Sequence, residues 1–391
     1  MSNRRVVCPG CSCLCDGLTI ADDSKTPSEV ANCKVGKEWF ANRTMPAKPS
    51  SSHVTEVRTL LENASAPLIT GIGNLTTKAQ QAAVRVADRF LTCVDSGWSN
   101  AGRGSMAAFQ RYGKVTATMG ETANRADVVV FWFCDPMETH PRFVERLVRR
   151  GAEPKKLIVI DETKTQTAEI SDEYICVQAA DSLSFVQQLR MSIDAESKTD
   201  LAAQLATAKY GSVFVGKPKN VDPDFDVITD QWFQLVRSLN NHTRFAMNSL
   251  RSDRNGIGAN NVMTSLCGFP DAVRFTKDGP TYNGLEFSTA SLIHRRECDL
   301  LIACDVGTNE PFEAGLDSET IAWLKTISVV VLSDLSANKY QTATLHIPAG
   351  TPGWTVAGDF VRMDNVPIPM AALSGEECAV AMELFEGLLS Q

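Results

Sequence analysis

The sequence predicts an α/β protein in which a small N-terminal cysteine-rich segment precedes two parallel-sheet lobes. Three observations predict it. From Ala66 onward, short apolar runs alternate with amphipathic stretches, the pattern of stacked βα units. The order of those runs in the first half of the chain returns in the second. Five cysteines crowd into Cys8–Cys33, whereas the other seven are scattered in apolar, strand-like contexts that suit small buried hydrophobes.

Taken in order, the chain begins with CPGCSCLCDGLTI and returns through ANCKVGKEWF. Cys8, Cys11, Cys15 and Cys33 give the spacing C-x2-C-x3-C-x17-C, three thiols in one loop and a fourth from downstream, which suits an iron–sulfur cube. Cys13 lies inside the loop. Structural zinc, the alternative, would ordinarily bring a second two-residue knuckle, and none is present. No apolar run resembling a signal peptide or a membrane span is found, so the expectation is a cytoplasmic chain with reduced thiols and no membrane partner.

MPAKPSSSH, ending at His53, reads as a linker. Strands are then expected at 66–70, 91–95, 126–133, 156–161 and 174–177, with helices at 77–89, 106–112, 181–190 and 201–209. ADVVVFWF, from Ala126, is continuous enough to be buried on both faces of a parallel sheet. In the second half, Ser212–Val215 answers the first strand and 223–239 answers its helix. CDLLIACDVGTNEP at Cys298 answers ADVVVFWFCDPMETHP, and SVVVLSDLSANKYQTATLHIPA answers KLIVIDETKTQTAEISDEYICV. The expected division is therefore 1–52, 53–195 and 196–391. Ligands of parallel sheets bind beyond the carboxyl ends of the strands, which directs attention to the loops 71–74, 134–140, 216–217 and 305–311.

Composition excludes other classes. Thirty-eight basic against 46 acidic residues give a net charge of −8, with no basic run, which argues against nucleic acid. The five histidines are far apart and form no metal pair, and no nucleophile–base pair stands out, so no catalytic residue is assigned.

Two motifs carry a family resemblance. Ile160 to Ala168 and on to Asp172 resembles the D-P-R-x-T-x-T-A…D run of the molybdopterin oxidoreductases related to formate dehydrogenase. Phe131 to Pro141 resembles their W-G-x-N-P-x-x-x-H-P loop, with Asp135 where asparagine is usual. Within that superfamily the chain is most similar to the B subunit of formylmethanofuran dehydrogenase. The likeness runs through Cys8–Asp16, Met247–Asn260, Leu266–Pro270 and Phe360–Pro367. It implies two Rossmann-like lobes without the C-terminal β-barrel of longer members, and a [4Fe-4S] cluster on Cys8, Cys11, Cys15 and Cys33. It also implies candidate cofactor contacts at Gly71, Gly73, Arg103, Asp161, Thr165, Arg251 and Arg254. Each has a plainer reading as well: turn glycines, helix caps or structural arginines.

One departure stands out. The family holds tungsten or molybdenum through a cysteine or selenocysteine beside a histidine, and the corresponding stretch here is Trp98 to Ser105. No cysteine occurs between Cys93 and Cys134, and no histidine between His53 and His140. Alanine and glycine offer no soft ligand, so a working molybdopterin or tungstopterin centre is not expected. This resembles the formyltransferase/hydrolase complexes of methylotrophs, which transfer formyl groups to methylofuran and release formate without redox chemistry. The resemblance implies a scaffolding B subunit, with the A, C and D subunits as partners. The alternative is a redox-active subunit of formylmethanofuran dehydrogenase. A generic nucleotide-binding protein would leave the cysteine loop unexplained.

Overall fold

Strand pairing, more than sequence order, decides how this chain divides. The computed structural model describes residues 3–21, 26–41, 52–97, 103–148, 154–218, 225–251, 253–374 and 377–390. Two units result: Met1–Asn100 together with Asp253–Gln391, and Ala101–Ser252.

The first unit opens with a hairpin, β1 (Asn3–Cys8) and β2 (Cys15–Ala21), in which Val6 faces Leu18 and Cys8 faces Cys15. Helix α1 (Lys34–Ala41) follows and buries Gly36, Trp39 and Phe40. The expected linker lies outside the described residues except for its last two, which begin α2 (Ser52–Asn63). Strand β3 (Pro67–Thr70) is fully buried, and Gly71 turns the chain with φ 75°, a left-handed conformation that glycine adopts without steric cost. Helix α3 (Thr77–Arg89) has the expected bounds, and β4 (Cys93–Val94) is shorter than expected.

The chain then builds the second unit. It contains α4 (Arg103–Tyr112), α5 (Met119–Arg125), β5 (Val128–Trp132), α6 (Pro136–Thr139), α7 (Phe143–Leu147), β6 (Lys156–Asp161), α8 (Gln166–Glu169) and β7 (Glu173–Cys176). After these come α9 (Ser182–Asp194), α10 (Asp200–Thr207), β8 (Tyr210–Val215), α11 (Phe225–Leu239) and β9 (Arg244–Ser249). The five strands lie in the order β7-β6-β5-β8-β9, every neighbour parallel. Strand β5 is buried at all five positions, as a central parallel strand should be. Trp132 meets Phe185 and Trp232 edge-on, each at 5.7 Å between ring centroids, and this aromatic cluster fills one face of the sheet.

The chain returns to the first unit through α12 (Gly256–Cys267), the hairpin β10 (Val273–Thr276) and β11 (Gly279–Tyr282), and α13 (Thr289–His294). Then come β12 (Leu300–Asp305), α14 (Ser318–Leu324), β13 (Ser328–Ser333), β14 (Leu345–Pro348), β15 (Gly358–Val361), β16 (Pro367–Met370) and α15 (Val380–Leu389). Its seven-stranded sheet runs β11-β10-β4-β3-β12-β13-β14, with the hairpin antiparallel on β4 and the rest parallel.

The sheets do not follow the expected boundary at 195/196. β8 joins the sheet of β5, with Val128 opposite Gly211, and β3 joins that of β12, with Pro67 opposite Leu300. An apolar run shows that a strand will be buried, not which distant strand will cover its edge. Nor is 1–52 separate: Leu14 of the first hairpin is buried against Phe360, Ile368 and Met370 of the β15–β16 pair, and Met363 N donates to Ser12 O. The internal repeat is real, however. β5, β6 and β7 step outward in one sheet as β12, β13 and β14 do in the other, with β8 and β3 in equivalent places beside them.

Candidate functional site

The cysteine loop is built by the first hairpin. Cys8 and Cys15 end its two strands as cross-strand partners. Between them the chain makes a tight turn, closed by Leu14 N donating to Cys11 O at 3.2 Å and completed by Leu14 at φ 39°. Cys33 arrives from a short 3-10 turn, and its sulfur accepts the Gly36 N–H at 3.3 Å. Gly36 and Gly10 let the segments around the sulfurs pack closely: a β-carbon on Gly36 would lie 3.1 Å from the Val30 side chain, and one on Gly10 3.2 Å from Trp39 Cβ.

The four thiols share one electrostatic environment. Burial pushes the Cys8 pKa well up, and negative charge on Cys11, Cys15 and Cys33 pushes it further. Such a set ionises together only around a cation, so the Cys-rich segment is a candidate metal site. Cys13, fully buried, brings its sulfur within 4.8 Å of that of Cys11, so a fifth thiol borders the set.

In the same unit, the turn after β3 is held by polar contacts. Gly73 N donates to Ser96 O at 2.8 Å, and Asn255 N donates to Gly73 O at 3.0 Å. A β-carbon on Gly73 would lie 2.8 Å from Ser96 O, so only glycine fits. Buried Gln80 donates from Nε2 to Asn255 O at 3.1 Å, and Asn255 donates to Leu75 O at 2.8 Å while accepting Val361 N at 2.7 Å. The N–H groups of Gly73, Asn74 and Leu75 are all engaged by carbonyls. Gly71 and Gly73 thus shape the turn. Arg254, next to Asn255, donates to Val306 O at 3.1 Å at the carboxyl end of β12. There Asp334 accepts Gly307 N at 2.8 Å and the Thr351 hydroxyl at 2.6 Å.

In the 101–252 unit, Asp161 ends β6. Burial raises its pKa, while its carboxylate accepts Glu162 N at 2.7 Å. Thr165 is the N-cap of α8, its hydroxyl accepting Ala168 N at 3.2 Å. Asp135, in the loop after β5, reaches the same helix start and accepts Gln166 N and Thr167 N at 3.1 and 3.2 Å. His140 is buried, with Nε2 2.8 Å from Arg251 O and Nδ1 2.8 Å from the Thr139 hydroxyl, so both ring nitrogens are in use. Arg103 is the first residue of α4, and 98–102 of the ligand-poor stretch lie outside the described residues.

Arg251 and Arg254, close in sequence, therefore belong to different units. Sequence reasoning missed Lys114, whose pKa burial and the Arg251 charge lower to about 8, and the Ser105–Ser249 hydroxyl pair at 3.4 Å. Their partners lie more than a hundred positions away, and no local motif announces them.

No family model matches the chain. It is 28% identical to the B subunit of tungsten-containing formylmethanofuran dehydrogenase 2 from Methanococcus maripaludis, over 94% of this chain and 93% of that protein. The corresponding protein of Methanocaldococcus jannaschii is 29% identical over 94% of this chain and 92% of its own length. Among solved structures, a chain of the formyltransferase/hydrolase complex (FhcABCD) from Methylorubrum extorquens, crystallised with methylofuran, shares the fold. Its TM-score is 0.73 at 20% identity, with 86% of this chain and 94% of that chain covered. Acetylene hydratase from Pelobacter acetylenicus aligns with a TM-score of 0.58 at 13% identity, over 98% of this chain and 69% of that one. Over nearly its whole length the chain is thus similar in sequence to the B subunits of tungsten-containing formylmethanofuran dehydrogenase 2, and it shares its α/β fold with both solved structures.

Proposed function

We propose that the chain is the B subunit of a formylmethanofuran dehydrogenase-like formyltransferase/hydrolase complex in one-carbon metabolism, on the route from formaldehyde to formate. Its role there is non-redox and scaffolding. The observation that carries this reading is the full-length likeness to the dehydrogenase B subunits combined with an interval, Cys93 to Cys134, that has no thiolate or imidazole for tungsten or molybdenum. Its partners are the A, C and D subunits, in the cytoplasm, and through them a methylofuran-type carrier. No helix of the described residues is long and apolar enough to cross a membrane.

Cys8, Cys11, Cys15 and Cys33 would hold a [4Fe-4S] cluster, which supplies one-electron transfer when bound. The chain's own contribution is to close the hairpin onto the Cys33 turn and bury Cys8, Cys15 and Cys33, leaving Cys11 half-buried. Asp161, Thr165, Arg251, Arg254 and Arg103 are kept as contacts for an anionic or nucleotide-like group, with Gly71 and Gly73 shaping the turn between β3 and α3. Elemental analysis of the purified complex tests the reading. We expect about four irons per chain, lost in Cys11→Ala, and neither tungsten nor molybdenum. One tungsten or molybdenum per chain would overturn the non-redox role.

A second reading is a redox-active subunit of a formylmethanofuran dehydrogenase. It is favoured by the tungsten named for both sequence relatives and by the retained four-cysteine loop. Viologen-linked turnover by the complex would select it.

A further inference from the structure

We propose that the cavity between the amino ends of α3 and α15 is a binding site for a small aliphatic monocarboxylate. Two helices start at this cavity of about 260 Å3: Thr76, Lys78 and Ala79 line it from α3, and Ala379, Ala381 and Met382 from α15. All six belong to the unit formed by 1–100 and 253–391. Strand β15 closes a third side. It begins with Gly358, where a β-carbon would lie 2.8 Å from Thr76 Cγ2, so glycine lets the strand close on the helix start. The Thr77 hydroxyl, donating to Asp359 O at 3.0 Å, ties the two together.

The donors left over give the site its sign. The first N–H groups of an α-helix have no acceptor inside the helix and are ordinarily met by a capping side chain. Neither α3 nor α15 has one. The N–H groups of Lys78, Ala79, Ala381 and Met382 find no acceptor among the described residues. Thr76, the residue placed to cap α3, is only 4% exposed, lines the cavity, and has no hydrogen-bond partner for its hydroxyl among the described residues. A buried hydroxyl without a partner is unfavourable until something in the cavity meets it. Two helix dipoles direct their positive ends into the same space, so that something is an anion.

The walls narrow the class. Leu75, Val356 and Met382 are apolar and suit an aliphatic body. The volume lies below the ~300–1,000 Å3 usual for drug-sized ligands, so the occupant is small. Lys78, Asp359 and Glu377 line the cavity as exposed residues, one positive charge against two negative. That balance opposes a dianion such as phosphate, whereas a single carboxylate can be met by the N–H groups and the Thr76 hydroxyl. The site shares no residue with the cysteine loop and does not rest on the formyl-transfer reading, so failure of that reading leaves it standing.

The test is titration calorimetry of the full chain with sodium hexanoate, 1-hexanol and sodium phosphate at matched ionic strength. Hexanoate should bind saturably and about tenfold or more tighter than hexanol, because it alone can accept charge-assisted hydrogen bonds. Phosphate should not displace it. Thr76→Val, which keeps the shape of the side chain and removes the hydroxyl, should weaken hexanoate binding several-fold. Glu377→Gln, which removes a negative charge, should strengthen it. Should Thr76→Val fail to fold by near-ultraviolet circular dichroism, Ala379→Leu takes its place, filling the cavity from the half-buried start of α15 and abolishing binding. Absence of saturable hexanoate binding, hexanol binding as tightly as hexanoate, displacement by phosphate, weaker binding in Glu377→Gln, or unchanged affinity in the folded Thr76 or Ala379 variant would each overturn the proposal.

Discussion

Lys114 carries a pH prediction of its own. Its pKa, lowered from 10.5 to about 8 by burial and by Arg251, means that the folded chain holds fewer protons than the unfolded chain between those values. Stability contributed by this group therefore rises as pH climbs through that window. At pH 7 the lysine is charged in both states and its penalty is complete; above about 10.5 it is neutral in both and the penalty has gone. Urea midpoints of parent and Lys114→Met should differ most near pH 7 and converge toward pH 10.5. A difference that stays flat with pH would refute the assignment. None of this was legible from the sequence, where a lysine after Gly113 looks like any loop lysine. The cysteines were legible at the same scale, because three thiols separated by two and three residues can converge without help from the rest of the chain, whereas Lys114 meets Arg251 only through tertiary pairing.

At the scale of elements, the apolar runs were read correctly as strands and α3 to the residue, since burial on both faces and amphipathic spacing are local signals. Pairing partners were not, since β3 and β12 meet across more than two hundred residues. The same limit applies to Asp135. In the sequence it is a substitution for an expected asparagine; in the structure it caps a helix that begins thirty residues later, accepting from the backbone and hydroxyl of Thr167 and from Gln166 N. Asp135→Ala should cost about 1 to 3 kcal/mol, within the range for lost caps and charge-assisted hydrogen bonds. Asp135→Asn, which keeps an acceptor oxygen, should cost less. Denaturant unfolding of the two variants checks both, and equal losses would show that the carboxylate, not the cap, matters.

For the whole molecule, the two main parallel sheets and the repeat were written in the sequence, whereas the two small antiparallel sheets, the antiparallel hairpin β10–β11 on the edge of the larger one and the unit boundary were not. Two lobes in series would each be contiguous, and only the interlocked register of β3 with β12 and of β5 with β8 shows that 101–252 interrupts the other unit. The full-length likeness to the dehydrogenase B subunits and the ligand-poor interval belong to this scale too, and metal analysis of the complex is the measurement that joins them.

The interruption has a consequence for synthesis on the ribosome. Pro67 pairs with Leu300, 233 positions later, so at about 5–20 residues per second β3 waits roughly 10 to 50 s with one edge uncovered. The 101–252 unit, being contiguous, completes its sheet in the meantime. Ribosome-bound chains truncated at about residue 290, outside the exit tunnel, should show 101–252 resistant to protease while 52–97 is cut. Equal resistance of both would mean that β3 finds a temporary partner. An exposed, largely apolar strand held open that long is a natural client for a chaperone.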